Sequence, residues 1–592
     1  MKSRRITLAA VCVAALSAAS CGGGLTRLGK VFDTSWQDDQ GRSISTVYKH
    51  LAGQEVPKGT NVAVGVVPEG LVGLPLDGGG SWKYAHKLDA RPYVVGNVVV
   101  GTGGGSVFAL DATTGREVWK RAAGGQLRGA GDDGRTTVVS LAPTSGRGAI
   151  LLAIDRDGEV VRQLDVDVAA GQPGVWANLA FIPWQNQYVT VYDLTSGDEV
   201  ARVTLRHQTS RVLTVGGRMY FGELGLTRFD DRIGMASRNQ ASFVDLPSRE
   251  LPGSPRWLRP GGFERPATGD ATDRIRLVAR PADNAGKLVL DSDRYYATYY
   301  HAVLGFKAAS AELAWVRTIE QDAIAAGPFP GGLAVCDEKG TVQFFDASSG
   351  GSTGSVRFGQ PLVSCAIQAD TLTRPASKDA GQSLVQQIAD AIRSPETEMV
   401  TIQRFLVREL ASHQDPLATS KLIELAIDPR TSPVLIPEVR EGLSSRHEGV
   451  DHMLKALEMR YDFLHDRSVL PPVGPLSFAL ASTGSKQAAP LLVEHLLDPQ
   501  TSTDDVKHIA IALQKLAGPE QLESLRGFVV ANRCTVVDDD LAQAVAATLR
   551  TLLRLDHVGT RQMISAWASD PMTSVVLRDV IKALAGATTP RP

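Results

Sequence analysis

The sequence predicts a multidomain β + α protein: an N-terminal β-propeller of about seven blades, with eight as the alternative count, followed by an all-α solenoid of paired helices. Three observations predict it. Between about residues 61 and 370, short alternating or β-rich runs are separated by Gly, Asp, Asn and Ser clusters, the mark of many short antiparallel strands. One phrase recurs through that region at a spacing of about 40 residues, roughly the length of a four-stranded blade. After about residue 375, apolar residues fall at i, i+3 or i+4, and i+7, the period of amphipathic helices.

At 592 residues the chain is long enough for several domains, each with its own core. Its 62 Lys and Arg against 64 Asp and Glu, with no long run of one sign, give no basic face for nucleic acid. The N-terminus, "MKSRRITLAAVCVAALSAASCGGG", places Lys2, Arg4 and Arg5 before an apolar stretch from Ile6 to about Leu16 and small residues before Cys21. This is the layout of an export signal, and the stretch is too short to span a bilayer as a helix.

The propeller elements follow from the repeated phrase. "VFALDATTGREVWK", Val107 to Lys120, aligns with "VTVYDLTSGDEVAR" at Val189 and "VQFFDASSGGSTGS" at Val342, so that Asp111, Asp193 and Asp346 coincide, as do Gly115, Gly197 and Gly350. A degenerate copy at Val303 has Lys307 in the Asp position but keeps Trp315 where the first copy has Trp119. Shortened and contracted copies surround Asp155 and Asp77. The Asp accepts backbone N–H bonds across a turn, the Gly supplies positive φ for a bulged hairpin, and the Trp fills the gap between packed blades. Each role is structural. Recurrence at several non-equivalent places supports that reading, because a catalytic site is normally unique.

Anchors Asp77, Asp111, Asp155 and Asp193 lie 34, 44 and 38 residues apart, and radial closure of such units leaves few exposed strand edges. Region 206–300 blurs the count: Phe229-Asp230 and Val244-Asp245 compete as repeats, and an Arg-rich stretch from about Pro255 to Gly286 reads as an insertion. "NVAVGVV" at Asn61 and "PLVSCAIQ" at Pro361 are expected to share one blade and close the ring. "TRPASKDAGQ", Thr373 to Gln382, reads as a linker.

In the helical half, Val506, Ile509, Leu513 and Leu516 form one apolar stripe. Helix pairs starting near 486, 519 and 557, with weaker pairs from about Gln382, must stack to bury such faces. Pro490 is expected to kink a first helix. Asp538 to Asp540 open a helix, where capping explains acidic residues. The resulting domains are 1–20 signal peptide, 21–60 tether, 61–372 propeller, 373–382 linker and 383–592 solenoid.

Several resemblances follow from these residues. Small residues directly before Cys21 resemble a bacterial lipobox, which implies cleavage before Cys21, its acylation, and, with Gly22 next, an outer-membrane address. Two or three acyl chains, at about 0.8 kcal/mol per buried CH₂, anchor a protein without a transmembrane helix. Ala109 to Trp119, as A-x-D-x-x-T-G-x-x-x-W, resembles the repeat of the pyrroloquinoline-quinone (PQQ)-like propellers, and the helix pairs resemble HEAT repeats. The quinoprotein dehydrogenases of that superfamily carry vicinal cysteines and a calcium set. No adjacent cysteines occur in this sequence, so no cofactor, metal or catalytic residue is assigned and no enzyme activity is expected. The lipobox, the glycine tether and the blades resemble instead the BamB branch, lipoproteins of outer-membrane protein assembly.

That resemblance implies a non-enzymatic, lipid-anchored, periplasm-facing scaffold in envelope biogenesis, with protein partners of the BamA-type barrel-assembly machinery. A cofactor-dependent periplasmic dehydrogenase and a glycan-binding envelope protein are the alternatives. For the last, "DSDRYYATYYH" offers Tyr295, Tyr296, Tyr299 and Tyr300 as a partner- or glycan-binding patch, against the reading that they pack between blades. Arg256, Arg259, Arg265, Arg274, Arg276 and Arg280 could dock an acidic partner or form a solvated loop. His447, Asp451, His452, Asp462 and His465 fit no familiar metal spacing and read as a polar helix face. Cys336 and Cys365 either pair or remain buried thiols.

Overall fold

The computed structural model describes residues 47, 49–51, 53–54, 59–144, 147–185, 188–204, 209–215, 218–223, 226–228, 242–244, 276–284, 287–307, 312–369, 371–377, 382–459 and 471–586. Two compact units divide at Gly381 and Gln382. The lipobox, Cys21 and residues 22–46 of the tether lie outside the described residues, whereas Val47 and Leu51 near its end are buried against the fourth blade.

In the first unit, the described residues form seven four-stranded antiparallel sheets, the blades of a propeller. The second blade shows how the sequence builds them. Val98–Gly103 is buried along its whole length, Ser106–Asp111 is buried except at its ends, and Glu117–Ala122 is mostly exposed. The innermost strand, Tyr93–Val95, is half-buried, so burial is greatest in the two middle strands, which are covered by blades on both faces. Blades three to seven run over Gly125–Val166, Gly174–Thr204, Thr209–Val244, Arg276–Thr318 and Ala323–Arg357.

The first blade closes the ring. Strand Ser364–Gln368 pairs with Val62–Val67, Val62 opposite Gln368, and Gly70–Pro75 and Trp82–Tyr84 complete the sheet. The two chain ends are fastened beyond the strands. Asn61 Nδ2 donates to Asp77 Oδ2 at 2.8 Å and to Thr371 Oγ1 at 3.0 Å, and Thr371 N donates to Asn61 Oδ1 at 3.1 Å. Cys336 and Cys365 are buried thiols with no disulfide between them, in the core between the seventh and first blades.

Two sequence expectations need correction here. Asp77 is not the counterpart of Asp111. Leu76 N donates to Asn61 O as Ala112 N does to Asn97 O, so Pro75 holds the Asp111 position and Asp77 serves the ring closure instead. The Arg-rich stretch is not all insertion, because Arg276 and Arg280 lie in strand Arg276–Asn284 of the sixth blade. Arg256, Arg259, Arg265 and Arg274 lie outside the described residues.

In the second unit, helices stack in two rows. One row runs through Val400–Ser412, Ile436–Ser444, Val473–Thr483, Thr503–Leu516 and Asp539–Leu555; the other through Pro416–Ile427, Val450–Leu457, Ala489–Leu497, Leu522–Asn532 and His557–Ala568. Val506, Ile509, Leu513 and Leu516 are buried as one stripe, and the Asp538 carboxylate caps its helix by accepting from Leu541 N at 2.8 Å. Pro490 does not kink a helix. A 3₁₀ turn at Lys486–Ala488 precedes it, so it sits in the first turn of Ala489–Leu497, where its missing N–H deprives no carbonyl.

Arg446, 1% exposed, is buried between helix ends. Its guanidinium donates to the Ala411 and His413 carbonyls, to Asp415 O at 3.2 Å and to Thr419 Oγ1 at 2.9 Å. The Ala411 carbonyl is in the last turn of its helix, where carbonyls lack intrahelical donors, and Asp415 O also accepts from Ala418 N at 3.0 Å.

Candidate functional site

The repeated phrase folds as its chemistry requires. Asp111 Oδ1 accepts from Thr113 N (3.2 Å), Thr114 N (2.8 Å) and Thr114 Oγ1 (2.7 Å), while Gly115 sits at φ +70°. Asp193 accepts from Thr195 N and Ser196 N, with Gly197 at φ +83°. Asp346 accepts from Ser348 N and Ser349 N, with Gly350 at φ +66°. A register shift precedes each turn, at Ala109/Leu110, Val191/Tyr192 and Phe344/Phe345. Burial raises the Asp346 carboxyl, but the bonds from Ser348 and Ser349 outweigh it and hold the group below the usual carboxylate range.

The turns have a second role, which sequence reading did not locate: each receives the outer strand of the preceding blade. Trp82 Nε1 donates to Ala112 O at 3.0 Å across the seam between blades one and two, and its ring lies where a Cβ on Gly115 would fall, 2.5 Å away. Trp315 repeats this between blades six and seven, donating to Ala347 O at 3.0 Å against Gly350. Trp119 packs against Gly158 of the third blade, yet its buried Nε1 finds no hydrogen-bond partner. Between blades seven and one the wedge position is Gly354, opposite Phe344. There Arg374 substitutes, lying 4.0 Å over the Phe344 ring and donating to Leu76 O at 2.8 Å.

The seam between blades three and four departs from this pattern. Arg162, opposite Ala153, holds the position that Trp119 holds opposite Ala109. Its guanidinium turns to Thr195 O and to Val161 O (2.9 Å). A cavity of about 360 Å³ remains, with Leu151, Ala153, Ala180, Ile182 and Leu194 among its apolar walls and Arg162, Tyr192, Ser196 and Asp198 among its polar ones. Tyr192 is 8% exposed, its hydroxyl has no hydrogen-bond partner, and burial holds the phenol far above its ordinary pKa, so it stays protonated.

The tyrosine strand is not a surface patch. Tyr296 and Tyr299 are buried, Tyr296 against Trp315 at 5.8 Å in the core between blades six and seven. Tyr300 is half-buried at φ +48° beside Tyr299, and the side chain of Tyr295 lies outside the described residues. His447 bonds Ser482 Oγ, Asp451 is exposed, and Asp462 and His465 lie outside the described residues.

In the helical unit, Asp504, Asp505 and His508 bring ligand-type atoms within 4.8 Å of one another. Asp505 Oδ1, however, accepts from Arg440 and from Gly474 N, and Lys507 bridges Asp504 and Asp540. These contacts form an ion-pair ladder between successive helices.

Fold and seams together define a β-propeller built from a repeated phrase, followed in sequence by a helical unit. Residues 72–212, within blades one to five, match the family model described as outer membrane protein assembly factor BamB. No curated protein sequence matches the chain. Among solved structures, BamB from Moraxella catarrhalis is 16% identical, with 54% of this chain and 88% of that one covered at a TM-score of 0.30. The computationally designed Ika8 protein is 10% identical over 53% of this chain and 93% of its own, with a TM-score of 0.30. The dihydro-heme d1 dehydrogenase NirN in complex with DHE is 14% identical over 52% and 76%, with a TM-score of 0.34.

Proposed function

We propose that this chain is a non-enzymatic outer-membrane lipoprotein scaffold whose propeller takes part in assembly of outer-membrane β-barrel proteins. The observation that carries the reading is the match of residues 72–212 to the BamB family, in a chain whose "AASCGGG" resembles a lipobox. In support, the Asp and Gly residues of the repeated phrase are engaged in turns and seams, a construction role. Among the described residues no helix is long and apolar enough to cross a membrane, which fits attachment by acyl chains on Cys21. The propeller would then face the periplasm, and both units would offer surfaces to protein partners.

The test is co-purification. Full-length chain extracted in mild detergent should carry BamA-type barrel-assembly components with it, and a preparation that repeatedly carries none contradicts the assembly role. Addition of PQQ and Ca²⁺ to the same preparation addresses the enzyme alternative. Quinone absorbance that stays with the protein, together with dye reduction, would overturn the non-enzymatic reading.

A further inference from the structure

We propose that the cavity between blades three and four is a binding site for an indole-type group, a planar aromatic ring with an N–H donor at its edge. The argument begins with the seams that are filled. Trp82 and Trp315 each insert an indole between blades and donate to one particular carbonyl, that of Ala112 or Ala347. Those two residues are equivalent by backbone pairing: Ala112 N donates to Asn97 O and Ala347 N to Gly331 O. Leu194 N donates to Asn178 O in the same way, so Leu194 is their counterpart in blade four.

Nothing among the described residues donates to Leu194 O. The indole that would do so is replaced by Arg162, whose guanidinium reaches Thr195 O instead. The resulting space of about 360 Å³ falls within the range of small-ligand pockets, about 300–1,000 Å³.

A second observation points to a ligand. The Tyr192 hydroxyl and Arg162 Nε are buried polar atoms without partners, and Tyr192 is more than nine-tenths buried in the wall of the cavity. Buried polar groups are rarely left unsatisfied. The phenol can donate to or accept from a polar edge, and the apolar walls suit the ring faces. At the mouth, Ser196, Gly197 and Asp198 are exposed, which gives access from solvent. The indole group could arrive as a free small molecule or as the side chain of a tryptophan on a peptide. The recognition chemistry is the same for both.

The experiment titrates detergent-solubilised full-length protein with indole, with N-acetyl-tryptophanamide and with indene, which has the shape of indole but no N–H. Ligand NMR and calorimetry report binding. Indole should bind saturably, and indene roughly 2- to 10-fold more weakly for want of one hydrogen bond. N-acetyl-tryptophanamide binding as well as indole would identify a peptide as the source, and its exclusion would identify a free molecule. Arg162→Trp, which restores the wedge used at the other seams, should raise Tm and abolish binding. Should that variant fail to fold, methyl shifts of Ala153 and Ala180 in the wild-type protein on adding indole provide the same localisation. No saturable indole binding, equal affinity for indene, binding that survives R162W, or shifts that miss both alanines would each overturn the proposal.

Discussion

At the residue scale, the repeated phrase was legible because its chemistry is local. Asp111 and Gly115 need only the five residues between strands to reveal a turn with one left-handed position. What was not legible is that the same turn is a socket for Trp82, since that contact depends on how neighbouring blades are set around the ring. The tyrosines stayed open between a binding patch and packing between blades for a related reason: composition does not say which face of a strand meets the next blade. Gly115→Ala should lower propeller stability by about 2 kcal/mol or more, because positive φ costs a non-glycine residue about 1–2 kcal/mol and the new Cβ meets the Trp82 ring. Denaturant unfolding followed by tryptophan fluorescence measures it. Asp346 carries a pH signature. Its folded pKa lies below the unfolded value, so its contribution is present above about pH 3.9 and is lost as pH falls through the folded value. Asp346→Asn should therefore lose less stability than wild type between pH 5 and pH 2.

At the element scale, ring closure could be foreseen because both ends of the repeat region carry strand-like runs too short to form a blade alone. The fastening by Asn61 could not, since Thr371, 310 residues away, reaches Asn61 only once the ring has closed. Asn61→Ala removes three hydrogen bonds between the chain ends, each contributing about 0.5–1.5 kcal/mol, a loss read as earlier proteolysis and a lower propeller Tm. Substitution at Asn97, which makes the same backbone contact in the second blade, should not open the ring. Helix pairing was legible from the apolar period, whereas Pro490 was misplaced because the 3₁₀ turn before it has no period of its own. Arg446 carried no signal at all. Its burial is set by carbonyls that two helix ends bring together.

At the scale of the whole molecule, division into a β unit and an α unit was visible in the change of period near residue 375, while blade count in region 206–300 was obscured by the degenerate repeats there. Seven sheets among the described residues now give that count. Membrane attachment is argued from Cys21 alone, so Cys21→Ser should move the protein from the membrane to the soluble fraction and abolish its labelling by radioactive palmitate. A protein that stays membrane-bound and labelled would remove the lipid anchor from the account. The scaffold role itself is tested most directly by photocrosslinking in intact cells, with probes placed at exposed turn residues such as Ser196 and identification by mass spectrometry. The account predicts crosslinks to BamA-type barrel-assembly components, and crosslinks that repeatedly exclude those components would contradict it.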